Sequence, residues 1–402
     1  MTQPAEPGLN ANFGPAHEFV PVETYPEPWL TIFGGAVARG KAELAHDFRG
    51  LTSAGEIVPN LFRRAKSGLS LGPLVDAANA FAATLTDAQR QALSFGLDAK
   101  EWRMWHNMHP NLMRHGVSLF DLDDSARTAA LALLRETLSA AGYENARGVM
   151  KINEYVAELT GQTSEFGEWY YFISFFGQPS ESEPWGWQLD GHHLIVNCFV
   201  LEDQLVLTPQ FSGSEPLEAT SGKHAGTRVF EAETATGLAL MQALSPEQRS
   251  RATIGSAVPR DVLAGAQLDN AELPYAGIRW PELTADQQEL FVRVIAVYVG
   301  RIRAGHDAIR MDEVRAHFAD TYFAWIGTCD DISPFYYRIQ SPVILIEFDH
   351  LPGVIYDNVE ASRRHVHTIV RTPNGNDYGH DLLRRHYAEH DHSHPGSAHR
   401  AR

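Results

Sequence analysis

The spacing of apolar positions divides the chain into a helical first part and a strand-bearing second part. Residues 77–95 and 124–141 are rich in Ala and Leu at helical spacing. Three helix starts share one device. Thr86 with Gln89, Ser245 with Gln248 and Thr284 with Gln287 each place a hydroxyl three residues before a glutamine, the pattern of a capping box. Residues 168–176 are aromatic-rich, and residues 187–207 read as a hairpin turning near Glu202, Asp203 and Gln204. Residues 230 to about 265 return to helix, and 284 to about 318 hold at least two further helices broken near Gly305. A second strand region covers 336–348 and resumes at 365–371. Helix and strand without regular β-α-β alternation predict an α+β fold, with a mainly helical N-terminal half packed on a largely antiparallel sheet.

The division of the chain follows from the same pattern. Residues 1–28, rich in Pro and Glu, are expected to be irregular, and 29–387 to form one integral unit with a helical subregion over about 29–160. Residues 388–402 contain His390, His392, His394 and His399 among small and polar residues, and a mobile tail is expected there.

Two predicted strand regions carry histidines. One holds Trp185-Gly186-Trp187-Gln188-Leu189-Asp190-Gly191-His192-His193 and continues into Leu194-Ile195-Val196. The other holds His365-Val366-His367 and continues into Thr368-Ile369-Val370. Residues i and i+2 of a strand share a face, so His365 and His367 project side by side. A third imidazole, His192 or His193, would complete a three-histidine site with an open position, the form taken by catalytic zinc and non-haem metal centres. Strand parity favours His192, which shares a face with Gln188 and Asp190, whereas His193 shares one with Leu189 and Ile195. With 19 histidines in the chain, the bland alternative is a pair of satisfied histidines on a polar strand face.

Acids and an arginine lie near these strands. Val343-Ile344-Leu345-Ile346-Glu347-Phe348-Asp349-His350 is an apolar strand ending in carboxylates, with Glu347 and Asp349 on one face. A buried carboxylate is costly unless paired or metal-bound. Glu347 and Asp349 are therefore candidates for a fourth ligand, a general base or an acceptor that orients an imidazole. The competing roles are a turn at Asp349 and an ion pair of Glu347 with Arg338 or Arg364. Asp190 is a candidate base or ring-orienting group beside His192, with a turn at Gly191 as its alternative. Arg371 shares the face of His365 and His367, about 13 Å from His367 at ~3.3 Å per residue, and is a candidate anchor for a substrate anion. Its alternative is a structural ion pair with Asp377 or Asp381. His350, at the strand end, ranks below the other histidines. Trp185 and Trp187 read as core or as pocket walls, and the group of Trp102, Trp105, His106 and His109 reads as structural.

Composition narrows the partners. Lys and Arg number 33 against 50 Asp and Glu, a formal charge of −17, which disfavours nucleic acid or an anionic membrane as the partner. The two cysteines, Cys198 and Cys329, form no C-x-x-C pair, so neither a cysteine zinc site nor a disulfide framework is expected. No signal peptide or membrane-length apolar run is visible, and a cytoplasmic location is expected. A G-x-G-x-x-G fingerprint, a phosphate-binding G-x-x-x-x-G-K-[ST] loop, a G-x-S-x-G elbow and H-E-x-x-H are all lacking.

Several strings together resemble a known family. Glu101-Trp102-Arg103-Met104-Trp105, the stretch Gly186 to Leu194, Tyr337-Arg338-Ile339-Gln340-Ser341-Pro342 with Ile346-Glu347-Phe348-Asp349, and the run His365 to Gly375 are similar to the DUF3500 family of bacterial and fungal proteins, a domain of unknown function. The resemblance covers about residues 75–387 and implies one integral unit. It implies no activity, so the functional expectation rests on the residues. That expectation is a mononuclear metalloenzyme holding zinc, iron or copper and acting on a small organic substrate. Hydrolysis by metal-activated water leads, because it needs no reductant or cosubstrate. An O2-dependent oxidoreductase and a non-catalytic small-molecule binding protein are the alternatives.

Overall fold

The computed structural model describes residues 21–389, apart from 26, 28, 63–65 and 109–113. Among these, helices α1 (Trp29–Leu44), α2 (Gly72–Ala83), α3 (Asp87–Leu93), α4 (Asp124–Thr137) and α5 (Ala140–Thr160) fill the first part. Helices α6 (Glu231–Ala243), α7 (Pro246–Ala252), α8 (Ala285–Val299), α9 (His306–Arg315) and α10 (His380–Glu389) follow among and after the strands. All three predicted capping boxes form: Thr86, Ser245 and Thr284 each accept from the N3 backbone N–H while the N3 glutamine returns the bond.

The strands are β1 (Ser94–Phe95), β2 (Val117–Ser118), β3 (Tyr171–Phe176), β4 (Trp185–Gly191), β5 (Leu194–Leu201), β6 (Gln204–Val206) and β7 (Gln210–Ser214). They continue as β8 (Thr253–Gly255), β9 (Ile278–Arg279), β10 (Tyr322–Gly327), β11 (Phe335–Gln340), β12 (Leu345–His350) and β13 (Val366–Arg371). They join one sheet in the order β1-β3-β4-β5-β7-β13-β12-β11-β10-β8, with β2, β6 and β9 attached to β3, β5 and β10. Only the β1–β3 and β8–β10 pairings at its ends are parallel. The protein is therefore α+β, with most of its helix in the N-terminal half.

Three differences from the sequence reading bear on the site. The first hairpin turns at His192-His193, between β4 and β5, and Glu202-Asp203 makes a second turn into β6. The helical stretch that begins near Phe230 ends at Ala252, the short strand β8 follows, and irregular chain then runs from 256 to 277. The last helix reaches Glu389, two residues beyond the expected end of the integral unit at Tyr387. His109 and most of residues 1–28 lie outside the described residues, as does 390–402 with its four histidines.

The two faces of the sheet have different chemistry. One is apolar: Tyr171, Ile173, Trp187, Leu189, Val196 and Cys198 belong to the main core. Helix α5 packs over β5 and β7 on this side, and Gly237 of α6 lies against the Tyr337 ring. Trp185 and Trp187 are thus core residues, and Cys198 is buried among apolar neighbours that push its thiol pKa up. The register places Ser174, Gln188, Asp190, His367, Glu347, Asp349 and Arg338 together on the opposite face. Irregular chain and short 3-10 turns cover much of that face, with α1 residues over the histidine end. Trp102, Trp105, Val262 and Tyr378 pack there on Phe176, Ile195, Phe211 and Ile369. Trp102 stacks on Phe176 at 3.8 Å, and Trp105 Nε1 donates to the Tyr378 hydroxyl at 2.8 Å.

Arg371 belongs to this cover, which corrects its assignment as a substrate anchor. It is fully buried, and its Nε and Nη2 donate to the Ala264 and Gly265 carbonyls at 2.7 Å. Its Nη1 meets Asp269 and Asp377, each at 3.0 Å. Strand parity predicts the face correctly but not the depth. The guanidinium is engaged in holding the 264–269 and 372–378 segments against the sheet, and the pairing with Asp377 is the structural alternative.

Candidate metal centre

His365 and His367 flank Val366 at the start of β13, the central strand between β7 and β12. Strand alternation brings both rings to the polar face, with centroids 4.7 Å apart. The third ring is that of His193. Its φ of 61° lies in the left-handed region, where histidine is tolerated better than most non-glycine residues. The turn swings this side chain back over the sheet, and its main chain is fixed at both ends. The His193 N–H donates to the Asn107 carbonyl, and its own carbonyl accepts from the Gly213 N–H. The His365 Nε2 lies 3.1 Å from His367 Nε2 and 3.3 Å from His193 Nε2. All three residues are buried, and each offers a nitrogen within 4.8 Å of the others.

Gly213 makes this convergence possible. It pairs with His367 across the β7–β13 ladder, and a Cβ at position 213 would stand 2.8 Å from His367 Cδ2 and 3.1 Å from His193 Cδ2.

His192 does not join the cluster, which corrects the parity argument. Parity holds only while the strand continues, and β4 ends at Gly191. The His192 ring turns to the α5 side, where Nδ1 meets the Asn153 side-chain oxygen at 2.8 Å. It stacks on His193 at 4.0 Å and so supports that ring without presenting its own nitrogen to the cluster.

Hydrogen bonds fix the tautomers. His365 Nδ1 lies 2.7 Å from the Pro352 carbonyl, which only accepts, so Nδ1 carries the proton and Nε2 presents a lone pair. The Glu215 carboxylate lies 3.6 Å from the same Nδ1. It is held in turn by the backbone N–H groups of Val354, Ile355 and Tyr356 at 2.8–3.1 Å. His367 Nδ1 lies 2.7 Å from Asp261 Oδ1, which also accepts from the Val262 N–H. Partial desolvation works against charge on the half-exposed Asp261 carboxylate, but His367 and the Val262 N–H outweigh it and hold the carboxyl below its ordinary pKa. Burial lowers the pKa of His193, reinforced by the three neighbouring imidazoles. Burial lowers that of His365 too, against the pull of Glu215. Both are therefore neutral near pH 7, the state in which imidazole ligates a metal.

The other sequence-predicted acids sit beside or beneath this cluster. Asp349 pairs with His367 across the β12–β13 ladder, within a strand and not in a turn. It is fully buried, and neither carboxylate oxygen has a hydrogen-bond partner among the described residues. Burial, then the charges of Asp261 and Glu347, push its pKa up to about 9. Glu347 accepts from the Leu263 and Ala264 N–H groups and the Tyr336 hydroxyl at 2.5–3.0 Å, which ties the cover segment to the sheet. Burial raises its pKa as well. Asp190 accepts from the His106 N–H at 3.4 Å, and burial holds its carboxyl well above the ordinary range. His350 faces the apolar side, where its Nδ1 meets the Phe335 backbone.

Sequence reasoning misses Asp261 and Glu215, which hold the histidines from behind. Asp261 lies in chain that reads as helix, 106 residues from His367. Glu215 directly follows the short strand β7. Their one signal in sequence is an acid next to a predicted element boundary, which is common to many solvated residues.

A cavity of about 440 Å³ opens over the three rings. Phe33, Met108, Phe166, Leu351 and Ile355 supply much of its apolar wall, and Glu215, Arg260 and Asp261 supply charged groups. A second cavity, of about 410 Å³, lies among Leu205, Tyr298, Ile344 and Leu382 and includes none of these histidines. Cavity size does not separate the two; the convergent imidazoles do.

The match to known sequences covers this whole arrangement. The family model described as a protein of unknown function (DUF3500) matches residues 68–380. The chain belongs to the DUF3500 family. The matched span contains His193, His365 and His367 together with Asp261 and Glu215, so the cluster lies wholly within the DUF3500 region. No curated protein and no solved structure matches this DUF3500 chain. No helix among the described residues is long and apolar enough to cross a membrane.

Proposed function

We propose that this DUF3500 protein is a metal-dependent enzyme in which His193, His365 and His367 hold one divalent ion at the base of the cavity. One observation carries the reading: the Nε2 atoms of His367 and His193 converge on that of His365 at 3.1 and 3.3 Å in a buried cluster. Nitrogens at that separation are bridged either by a proton between two rings or by a cation held among all three, and the orienting acceptors behind His365 and His367 favour the cation. Tetrahedral zinc with Zn–N bonds of about 2.0–2.1 Å needs N···N separations of about 3.3 Å. The Nδ1 bonds to Pro352 and Asp261 follow the pattern in which an outer acceptor orients each ligating ring.

Three imidazole ligands would leave a bound dication strongly electrophilic, and the cavity over the rings would give water or substrate access to it. Water bound there would be acidified toward neutral pH and would attack an acyl-type carbon of a small substrate lying against Phe33, Met108 and Phe166. Hydrolysis needs no second substrate beyond water, which favours it over the O2-dependent chemistry that iron or copper would support on the same donors.

The test is elemental analysis of protein ending at Glu389, purified without a histidine tag and offered zinc, iron(II) or copper(II). About one equivalent should bind, as expected for a single three-histidine site. It should be lost in the His365→Ala/His367→Ala double variant. A folded protein that takes up no metal, or a double variant that retains it, would point to the binding-protein reading instead. Asp261→Asn should weaken metal binding by about 10–100-fold, the usual cost of losing an outer partner. Competition with a chromogenic chelator measures this, and an unchanged affinity would mean that Asp261 does not orient His367 for the metal.

A further inference from the structure

We infer that Arg260 sets the substrate class: the cavity takes a small organic carboxylate with an apolar body, its anionic end held by the Arg260 guanidinium and its reacting end at the three imidazoles. This rests on the metal-centre reading.

Arg260 lines the same cavity as His193, His365 and His367. It directly precedes Asp261, whose carboxylate holds His367, so the backbone ties its position to the site. Its side chain has no hydrogen bond or ion pair among the described residues. Other arginines on the sheet's polar side are engaged: Arg103 with Asp269, Arg338 with the Pro274 carbonyl, and Arg371 with Asp269 and Asp377. The acids around the cavity are not free to neutralise Arg260. Glu215 is filled by three backbone N–H groups, and Asp261 by His367 and the Val262 N–H. Glu165 has its own partner, and the exposed Asp357 makes no ion pair with Arg260.

A guanidinium presents a planar fork of donors that matches a carboxylate, and at a cavity edge it attracts anions from solution. Ile32, Phe33, Met108 and Phe166 line the same cavity and offer surface to a hydrocarbon chain or ring. The volume of about 440 Å³ falls in the range of about 300–1,000 Å³ typical of small-molecule sites. One charged end, an apolar middle and a reacting group near the metal describe a monoanionic acyl compound, not a sugar, a nucleotide or a polyamine.

The test uses two probe series on the zinc-loaded full chain, each with a hydroxamate head to bind the metal and four to seven methylenes. One series ends in a carboxylate, the other in the neutral amide. At the best chain length the carboxylate probe should bind about tenfold more tightly, the scale of one charge-assisted pair at a partly exposed site. Arg260→Gln should abolish that preference and leave amide-probe affinity and zinc content unchanged. Arg260→Lys should restore part of it. Equal binding of both series to the wild-type protein, or a preference that survives in Arg260→Gln, overturns the assignment of Arg260 while the metal centre stands. Failure of both series together with absence of zinc overturns the metal centre, and this inference with it.

Discussion

His193→Asn is expected to strip the protein of its metal, while His192→Asn leaves about one equivalent bound, as expected for a single site. The two histidines are adjacent in sequence and stacked in space, yet only His193 presents a nitrogen to His365. Loss of one of three ligands should exceed the 10–100-fold effect of losing an outer partner, so affinity should fall by more than about 100-fold. Asparagine is chosen because it accepts the left-handed backbone of position 193, where φ is 61°. The turn between β4 and β5 should survive, and the melting curve of the metal-free variant should stay within a few degrees of the metal-free parent. His192→Asn removes the bond to Asn153 and the stack on His193 but none of the three cluster nitrogens. Retention of metal by His193→Asn with its loss from His192→Asn would reverse the assignment. Metal content and near-UV circular dichroism on the same samples decide it.

The second large effect concerns stability and pH in the metal-free protein. Asp349 has an ordinary pKa near 3.8 in the unfolded chain and one raised to about 9 in the folded protein, first through burial and then through Asp261 and Glu347. Below pH ~4 it is protonated in both states, and its contribution to stability is fully present. As pH rises toward 9, the unfolded chain releases this proton while the folded protein keeps it, so stability falls by about 1.4 kcal/mol per pH unit. Asparagine has no such linkage. Asp349→Asn should therefore match the wild type near pH 4 and become progressively more stable above it, by about 4 kcal/mol at pH 7 as an upper bound. Urea unfolding of both proteins from pH 4 to 9 measures this directly. Parallel pH profiles would refute the buried, proton-holding state of Asp349. A bound dication should shrink the difference, because a nearby cation favours the ionised carboxylate.

These two residues also mark how far the sequence can be read. The i, i+2 rule places His365 and His367 on one face, and the structure puts Asp349 and Glu347 on that same face through the β12–β13 register. The three capping boxes are legible because each is a contact between residues three apart. His193 is misjudged because two-residue periodicity carries no information across a turn, and the turn signal at Asp190-Gly191 stands only as the alternative to a continuing strand. Arg371 is placed on the right face but at the wrong depth, since what buries it is chain more than 100 residues earlier in sequence. Asp261 is the hardest case. It sits in irregular chain between α7 and β9, where neither helical nor strand period operates, and only the completed fold sets it beside His367.

Gly213 offers a way to sort related sequences before any protein is made. The space between the His193 and His367 rings exists because this position has no side chain, and even a methyl group there would also press on the Val366 carbonyl at 2.9 Å. A family member that keeps the H-x-H pair but carries alanine or anything larger opposite it must splay the rings apart. Such a sequence would inherit the fold and forfeit the chemistry, so the residue facing His367, more than the histidines themselves, separates members able to assemble this centre from those that merely retain its parts.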